Sequence, residues 1–159
     1  TAGGASVGEE DYLINVMKKT GKILFWKAAI KPGRPIAFGK INNCYIICLP
    51  GNPVSVHLLY AFIVKPYIEY IAGGNFSLPL PEKIKVNFTM NKKTKRMEWL
   101  RVRKKKKNSE FILEKYPKQG SGMISSMAYS DGIIEIPEDV SQIKPGELYN
   151  YYDFKILFL

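Results

Sequence analysis

Residues 73 to 81 divide this chain. Gly73-Gly74-Asn75 followed by Leu78-Pro79-Leu80-Pro81 puts two glycines and two prolines into one short stretch. Neither a continuous helix nor a central strand tolerates that pattern. Ahead of it, apolar residues recur at helical spacing or in longer runs. Behind it, they come in short alternating runs. The 159 residues are enough for one ordinary core or two small ones. The expectation is an α/β region over residues 1–74, a linker over 75–81 and a small β-barrel-like region over 82–159.

In the first region Ser6 and Glu9 have capping-box spacing, and Asp11 can cap or enter the first turn. Leu13, Ile14, Val16 and Met17 supply an apolar helical face, Lys18 and Lys19 favour its C-terminus, and Gly21 ends it. Ile23 through Ile30 reads as a strand. Pro32 and Pro35 bracket a turn. Residues 36–39 and 44–49 read as a hairpin through the polar link Lys40 to Asn43. Asn52 is placed to N-cap a helix that starts at Pro53, whose missing N–H loses nothing there. That helix is expected to run to about Ala72, with a kink or break at Pro66. In the second region, strands are expected at 84–88, 99–103, 111–114, 132–136 and 147–159, with a short helix over Met123 to Ala128.

A 46% hydrophobic composition excludes global disorder. No run approaches the roughly 18 apolar residues of a membrane span; the best, Val54 to Ile63, contains His57. The opening Thr1-Ala2-Gly3-Gly4 reads as the exit of a preceding strand, so the sequence reads as part of a longer protein. Cys44 and Cys48 share one apolar run. Four residues apart on a strand they lie about 13 Å from each other, too far to bridge. They read as buried thiols of a reducing, cytoplasmic compartment. The net charge of +10 is concentrated in residues 92 to 107. That run reads first as a solvated hairpin rim; steering of an anionic substrate and nucleic-acid binding are the alternatives. It lacks the aromatic interleaving that stacks bases, so no nucleic-acid partner is expected.

The candidate chemistry lies in three places. Phe25-Trp26-Lys27-Ala28-Ala29-Ile30-Lys31-Pro32-Gly33-Arg34-Pro35 sets Lys27, Lys31 and Arg34 around one rigid turn. Such cations can meet a phosphate or another oxyanion; alternatively the lysines snorkel from an edge strand. Gly3, Gly4 and Gly8, with the Ser6 hydroxyl, can form an anion-binding nest before a helix, or only a strand-to-helix loop. Glu9, Glu10 and Asp11 beside it suit a shared divalent cation or simply the helix N-terminus. Leu49-Pro50-Gly51-Asn52-Pro53 is either a plain helix start or a second set of N–H donors to the same ligand. His57 has no metal-binding partner and reads as structural. In the second region Gln119-Gly120-Ser121-Gly122 leads to Ser125 and Ser126, whose hydroxyls can donate to an anion.

With these motifs in this order, residues 1–12, 25–35 and 49–55 closely resemble the molybdopterin molybdenumtransferases, the family of bacterial MoeA and the enzymatic domain of gephyrin. Gln119-Gly120-Ser121 with Ser125-Ser126, and Asp131-Gly-Ile-Ile-Glu-Ile-Pro-Glu, resemble its small C-terminal β domain. The resemblance implies the later part of a three-layer α/β molybdopterin-binding domain followed by an all-β domain. It also implies insertion of molybdenum from molybdate into adenylylated molybdopterin, with magnesium and release of AMP. It assigns Asp11, Lys27 and Lys31 as catalytic residues and Asp11 to the metal. Gly3, Gly4, Ser6, Gly8, Arg34, Pro50, Asn52, Pro53, Ser125 and Ser126 fall to substrate binding. It implies a homodimer, and allows a molybdopterin adenylyltransferase as a partner. A non-catalytic module that binds the molybdopterin nucleotide or another anion is the alternative function.

Overall fold

The computed structural model describes residues 1–3, 12–117 and 124–158. These form two compact units, Thr1–Phe76 and Ser77–Leu159.

In the first unit, helix α1 (Tyr12–Thr20) buries Ile14 and Met17, three residues apart on one face. It closes as the Gly21 N–H donates to Met17 O at 3.1 Å. Strands β1 (Lys22–Trp26), β3 (Ala37–Ile41) and β4 (Cys44–Cys48) form an antiparallel sheet in the order β1-β3-β4. The β3–β4 hairpin turns more tightly than the sequence suggests. Ile41 pairs with Cys44, and Asn42 takes the left-handed conformation (φ 51°) that such a turn needs. Neighbouring residues of β3 show how the layers stack, because successive side chains leave opposite faces of a strand. A side chain at Gly39 would overlap Met17 of α1. Phe38, next in line, meets Tyr67 edge-on at 5.2 Å. Tyr67 belongs to a helix on the other face, so the unit is helix, sheet, helix. One core cluster is Ile14, Met17, Ala37 and Cys48, flanked by Leu13, Ile23, Trp26, Ile41 and Ile46; Ile36, Val54, Leu58, Leu59 and Ala61 are buried as well.

The expected helix from Pro53 is three consecutive pieces: α2 (Pro53–Leu59), a π-helical turn (Tyr60–Val64) and α3 (Lys65–Ile71). Pro66 causes the break. It has no N–H to donate, and here it lies in the first turn of α3, where none is needed. The wider π turn lets the Lys65 N–H reach Tyr60 O and resets the helix.

Two expectations for this unit are corrected. Residues 23–30 are not one strand: β1 stops at Trp26, and Lys27 follows at φ 71°, outside the β region. Only Ile30–Lys31 (β2) is extended again. Cys44 is exposed and only Cys48 is buried, because Cys44 begins its strand beside the turn. The capping residues proposed at Ser6, Glu9 and Asp11 lie outside the described residues.

The second unit is a closed barrel. Strands β5 (Glu82–Val86), β7 (Met97–Lys107), β8 (Glu110–Lys115), β9 (Gly132–Ile136) and β11 (Leu148–Asp153) pair in the order β7-β8-β5-β11-β9, and β9 returns to β7. Only β5 and β8 run parallel. Closure gives each of these five strands a partner on both sides. Inside lie Ile84, Val86, Leu100, Val102, Leu113, Ile134, Ile136, Ile143, Tyr149 and Tyr151. The two-residue strands β6 (Met90–Asn91) and β10 (Gln142–Ile143) pair beside it. Helix α4 (Ser125–Ala128) precedes β9. The last expected strand is shorter than the sequence suggests: β11 ends at Asp153, whose carboxylate accepts the Lys155 N–H at 2.9 Å and caps helix α5 (Phe154–Leu157).

The basic run is not uniformly a rim. Lys104 to Lys107 do form the end of the β7–β8 hairpin, but Lys92 and Arg101 are buried. Lys92 Nζ donates to the carbonyls of Val140 at 3.2 Å, Lys93 at 3.3 Å and Glu138 at 3.4 Å. Burial pushes its pKa below the ordinary lysine value, and Glu98 opposes the shift. Glu138 O also receives the Lys95 N–H. In Lys92→Met, therefore, chiefly Val140 O and Lys93 O lose their donor. The expected loss is about 2 kcal/mol, read as a lower urea midpoint. The sign with pH follows from the depressed folded-state value. Between it and the unfolded value the unfolded chain binds more protons, so wild-type stability rises with pH across that window, and Lys92→Met removes the rise.

Candidate functional site

The cationic segment folds back on itself. The Lys27 N–H donates to Ile36 O at 2.9 Å and the Ala28 N–H to Arg34 O at 3.0 Å. Residues 28 and 34 are therefore bonded across the base of a loop, with Lys31 towards its tip. Gly33 makes this closure possible. It sits at φ 117°, and an added Cβ would press on Leu59 Cγ at 3.1 Å, so both conformation and space call for glycine. The Lys31–Pro32 peptide is cis. Lys27 and Arg34 are exposed and Lys31 is half-buried. The strand geometry that would separate Lys27 and Lys31 by about 13 Å does not apply, because the chain reverses between them.

A second feature lies at the C-terminal end of β4. Thr1 O accepts the Leu49 N–H at 2.8 Å, and Leu49 O accepts the Gly3 N–H at 3.0 Å. This parallel bridge of Ala2 with Leu49 brings the start of the glycine-rich segment beside Pro50-Gly51-Asn52. A Cβ on Gly51 would lie 3.6 Å from Gly3 Cα. Pro50 is buried. Asn52 caps α2 as expected, its Oδ1 accepting the Ser55 N–H at 3.3 Å, with Pro53 in the first turn. Gly3, the first residue of the glycine-rich segment, and the Pro-Gly-Asn-Pro motif, which starts 47 residues later, thus meet at one end of the sheet. Gly4, Ser6, Gly8 and Asp11 lie outside the described residues.

In the barrel unit, Ser125 is the first residue of α4 and half-buried, whereas Ser126 is fully buried. The loop ahead of them, residues 118–123, is outside the described part. Among the described residues no three histidine, cysteine, aspartate or glutamate side chains stand together to hold a metal ion. The metal expected at Asp11 therefore has no ligand set to test here.

Residues 83–154 match the family model for the MoeA C-terminal region (domain IV), and residues 1–70 match that for a probable molybdopterin binding domain. The chain is homologous to the MoeA-type molybdopterin molybdenumtransferases. It is 34% identical over 150 residues to the molybdopterin molybdenumtransferase of Haemophilus influenzae, covering 92% of this chain and 37% of that protein. It is 31% identical over 153 residues to a molybdopterin biosynthesis protein of Methanocaldococcus jannaschii, covering 96% and 35% respectively. A crystal structure of the molybdopterin biosynthesis MoeA protein of Pyrococcus horikoshii has the same fold, with a TM-score of 0.72 at 24% identity, over 96% of this chain and 36% of that one. The chain thus spans little more than a third of its MoeA-type relatives.

One contact at the site is not legible in the motifs. Lys27 Nζ stands 4.3 Å from the centroid of the Trp26 ring. Adjacent residues of a strand point to opposite faces, so sequence reasoning sets these two side chains apart.

Proposed function

We propose that this chain carries the oxyanion-handling part of a molybdopterin molybdenumtransferase, which inserts molybdate into adenylylated molybdopterin and releases AMP. The observation that carries the reading is the closed loop of residues 27–36, which gathers Lys27, Lys31 and Arg34, in a chain homologous to the MoeA-type proteins along both halves. Molybdate and the phosphoryl groups of the nucleotide are oxyanions. Cations fixed around a rigid loop stabilise the charge that builds on their oxygens during transfer. Lys27 and Lys31 take that catalytic role, and Arg34, whose guanidinium can hold two oxygens at once, binds. Gly3, Gly4, Ser6, Gly8, Pro50, Asn52 and Pro53 border the nucleotide, and Ser125 and Ser126 are assigned to substrate binding. Asp11 is assigned to magnesium.

The whole protein is proposed to be a cytoplasmic homodimer that acts on molybdopterin adenylate and molybdate. Cys44 and Cys48 are free thiols. No helix among the described residues is long and apolar enough to cross a membrane.

The test is turnover by the full-length protein of adenylylated molybdopterin, with molybdate and magnesium present. AMP release is expected; its absence from a folded preparation sinks the reading. The short span of the chain against its relatives favours a second reading for residues 1–159 alone: binding of the nucleotide without turnover. Equilibrium binding and AMP release measured on that one preparation separate the two.

A further inference from the structure

We propose that Trp26 is a positioning residue for Lys27, its indole face holding the Lys27 ammonium where the loop presents it to an oxyanion; this rests on the catalytic reading of Lys27. Three observations converge. First, the Lys27 ammonium lies 4.3 Å from the Trp26 ring centroid, well inside the reach of a cation–π contact. Second, the backbone departs from strand geometry at this residue. In a continued strand Lys27 would leave the opposite face from Trp26. The left-handed φ of 71° at Lys27 redirects the side chain, and the hydrogen bonds of Lys27 N–H to Ile36 O and Ala28 N–H to Arg34 O hold that conformation. Left-handed backbone at a non-glycine residue persists only where its surroundings impose it.

Third, the ring is itself fixed. Trp26 pairs with Ala37 on β3 and packs against the core of Ile14, Met17, Ala37 and Cys48. The platform therefore moves with the sheet rather than with the loop. Lys18 of α1 shares it, with Nζ 5.1 Å from the same centroid. A lysine side chain has many rotamers. Confining this one on a core-mounted ring preorganises its charge before substrate arrives, and preorganised charge acts most strongly in the transition state.

The test uses the full-length protein as wild type, Trp26→Phe, Trp26→Leu and Lys27→Ala, each assayed for AMP release and for its unfolding midpoint. Trp26→Leu is expected to lower kcat about tenfold with KM changed less than about twofold, and Trp26→Phe to recover to within about threefold of wild type. Lys27→Ala at wild-type kcat overturns the catalytic reading of Lys27 and this inference with it. An inactive Lys27→Ala beside Trp26→Leu at wild-type kcat overturns the positioning role alone, as does a Phe variant no better than Leu. Because Trp26 also packs in the core, a second measurement stands apart from the folding of its variants. In protein labelled with 5-fluorotryptophan, the resonance lost in Trp26→Phe is expected to shift in Lys27→Ala and not in Lys105→Ala. No shift in Lys27→Ala overturns the proposal.

Discussion

Lys27→Ala in the full-length protein is expected to slow AMP release at least about a hundredfold, the scale of losing one preorganised charge or donor at a developing oxyanion. Lys105→Ala is expected to stay within about twofold of wild type. Both substitutions delete one lysine charge, so net charge cannot explain a difference between them. Lys105 lies on the barrel hairpin, half exposed, paired with Glu114 at 2.7 Å. Its field is screened over about 8 Å at physiological salt. Equal losses in the two variants would overturn the assignment of the site. Lys27→Gly sharpens the test. It removes the same ammonium but suits φ 71°, so it should be as inactive as the alanine variant. Relief of the left-handed strain offsets the extra flexibility glycine gives the unfolded chain, so no stability should be lost and a gain of up to about 1 kcal/mol is expected. Activity and stability moving in opposite directions at one residue would mark a backbone shaped for function. A Lys27→Gly variant that unfolds well below wild type would show that the side chain is structural.

Gly132→Ala is expected to destabilise the barrel by about 3 kcal/mol, visible as a large drop in urea midpoint. Gly132 begins β9 opposite Asp153 of β11, and on its other side it faces Val102 of β7. An added Cβ would overlap Tyr152 O and come within 2.6 Å of the Tyr151 ring. Strands on both sides pin this backbone, and the ring is 1% exposed, so neither can yield cheaply. Gly146→Ala provides the scale. There an added Cβ meets nothing within 4 Å, and only φ 92° objects, so about 1 kcal/mol is expected. A Gly132→Ala protein within about 0.5 kcal/mol of wild type would contradict closure of the barrel at β9.

Much of this molecule is local and legible in the chain. The proline and glycine punctuation that leads out of the first unit, the apolar face of α1, the Asn52–Pro53 helix start and the alternation of the barrel strands follow from neighbours a few residues apart. The break near Pro66 follows from a missing N–H, and its form, a π turn, needed only the resumption of the helix beyond it. The crowding of Lys27, Lys31 and Arg34 was legible as composition, and the three motifs in their order carried the resemblance to MoeA-type proteins. What the residues 23–30 pattern concealed is that a run of good strand formers is not one strand. Backbone bonds from Lys27 and Ala28 to Ile36 and Arg34 outweigh local propensity there.

The charged residues divide in the same way. Nothing distinguishes Lys92 or Arg101 from Lys105 in a basic run, because burial is a property of the partners. Lys92 is enclosed by carbonyls from residues 138 and 140, which the pairing of β6 with β10 brings to it. Trp26 and Lys27 are adjacent in sequence, yet their contact depends on a reversed φ that hydrogen bonds across the loop maintain. Likewise the meeting of Gly3 with Gly51 requires a strand pairing across 46 or more residues. Sequence alone determined most of the elements, the family resemblance and the kinds of group available, since these depend on near neighbours and motif order. Tertiary structure decided which cations stay in water, which one carries buried hydrogen bonds and which one rests on an aromatic face, because each depends on pairing between distant strands.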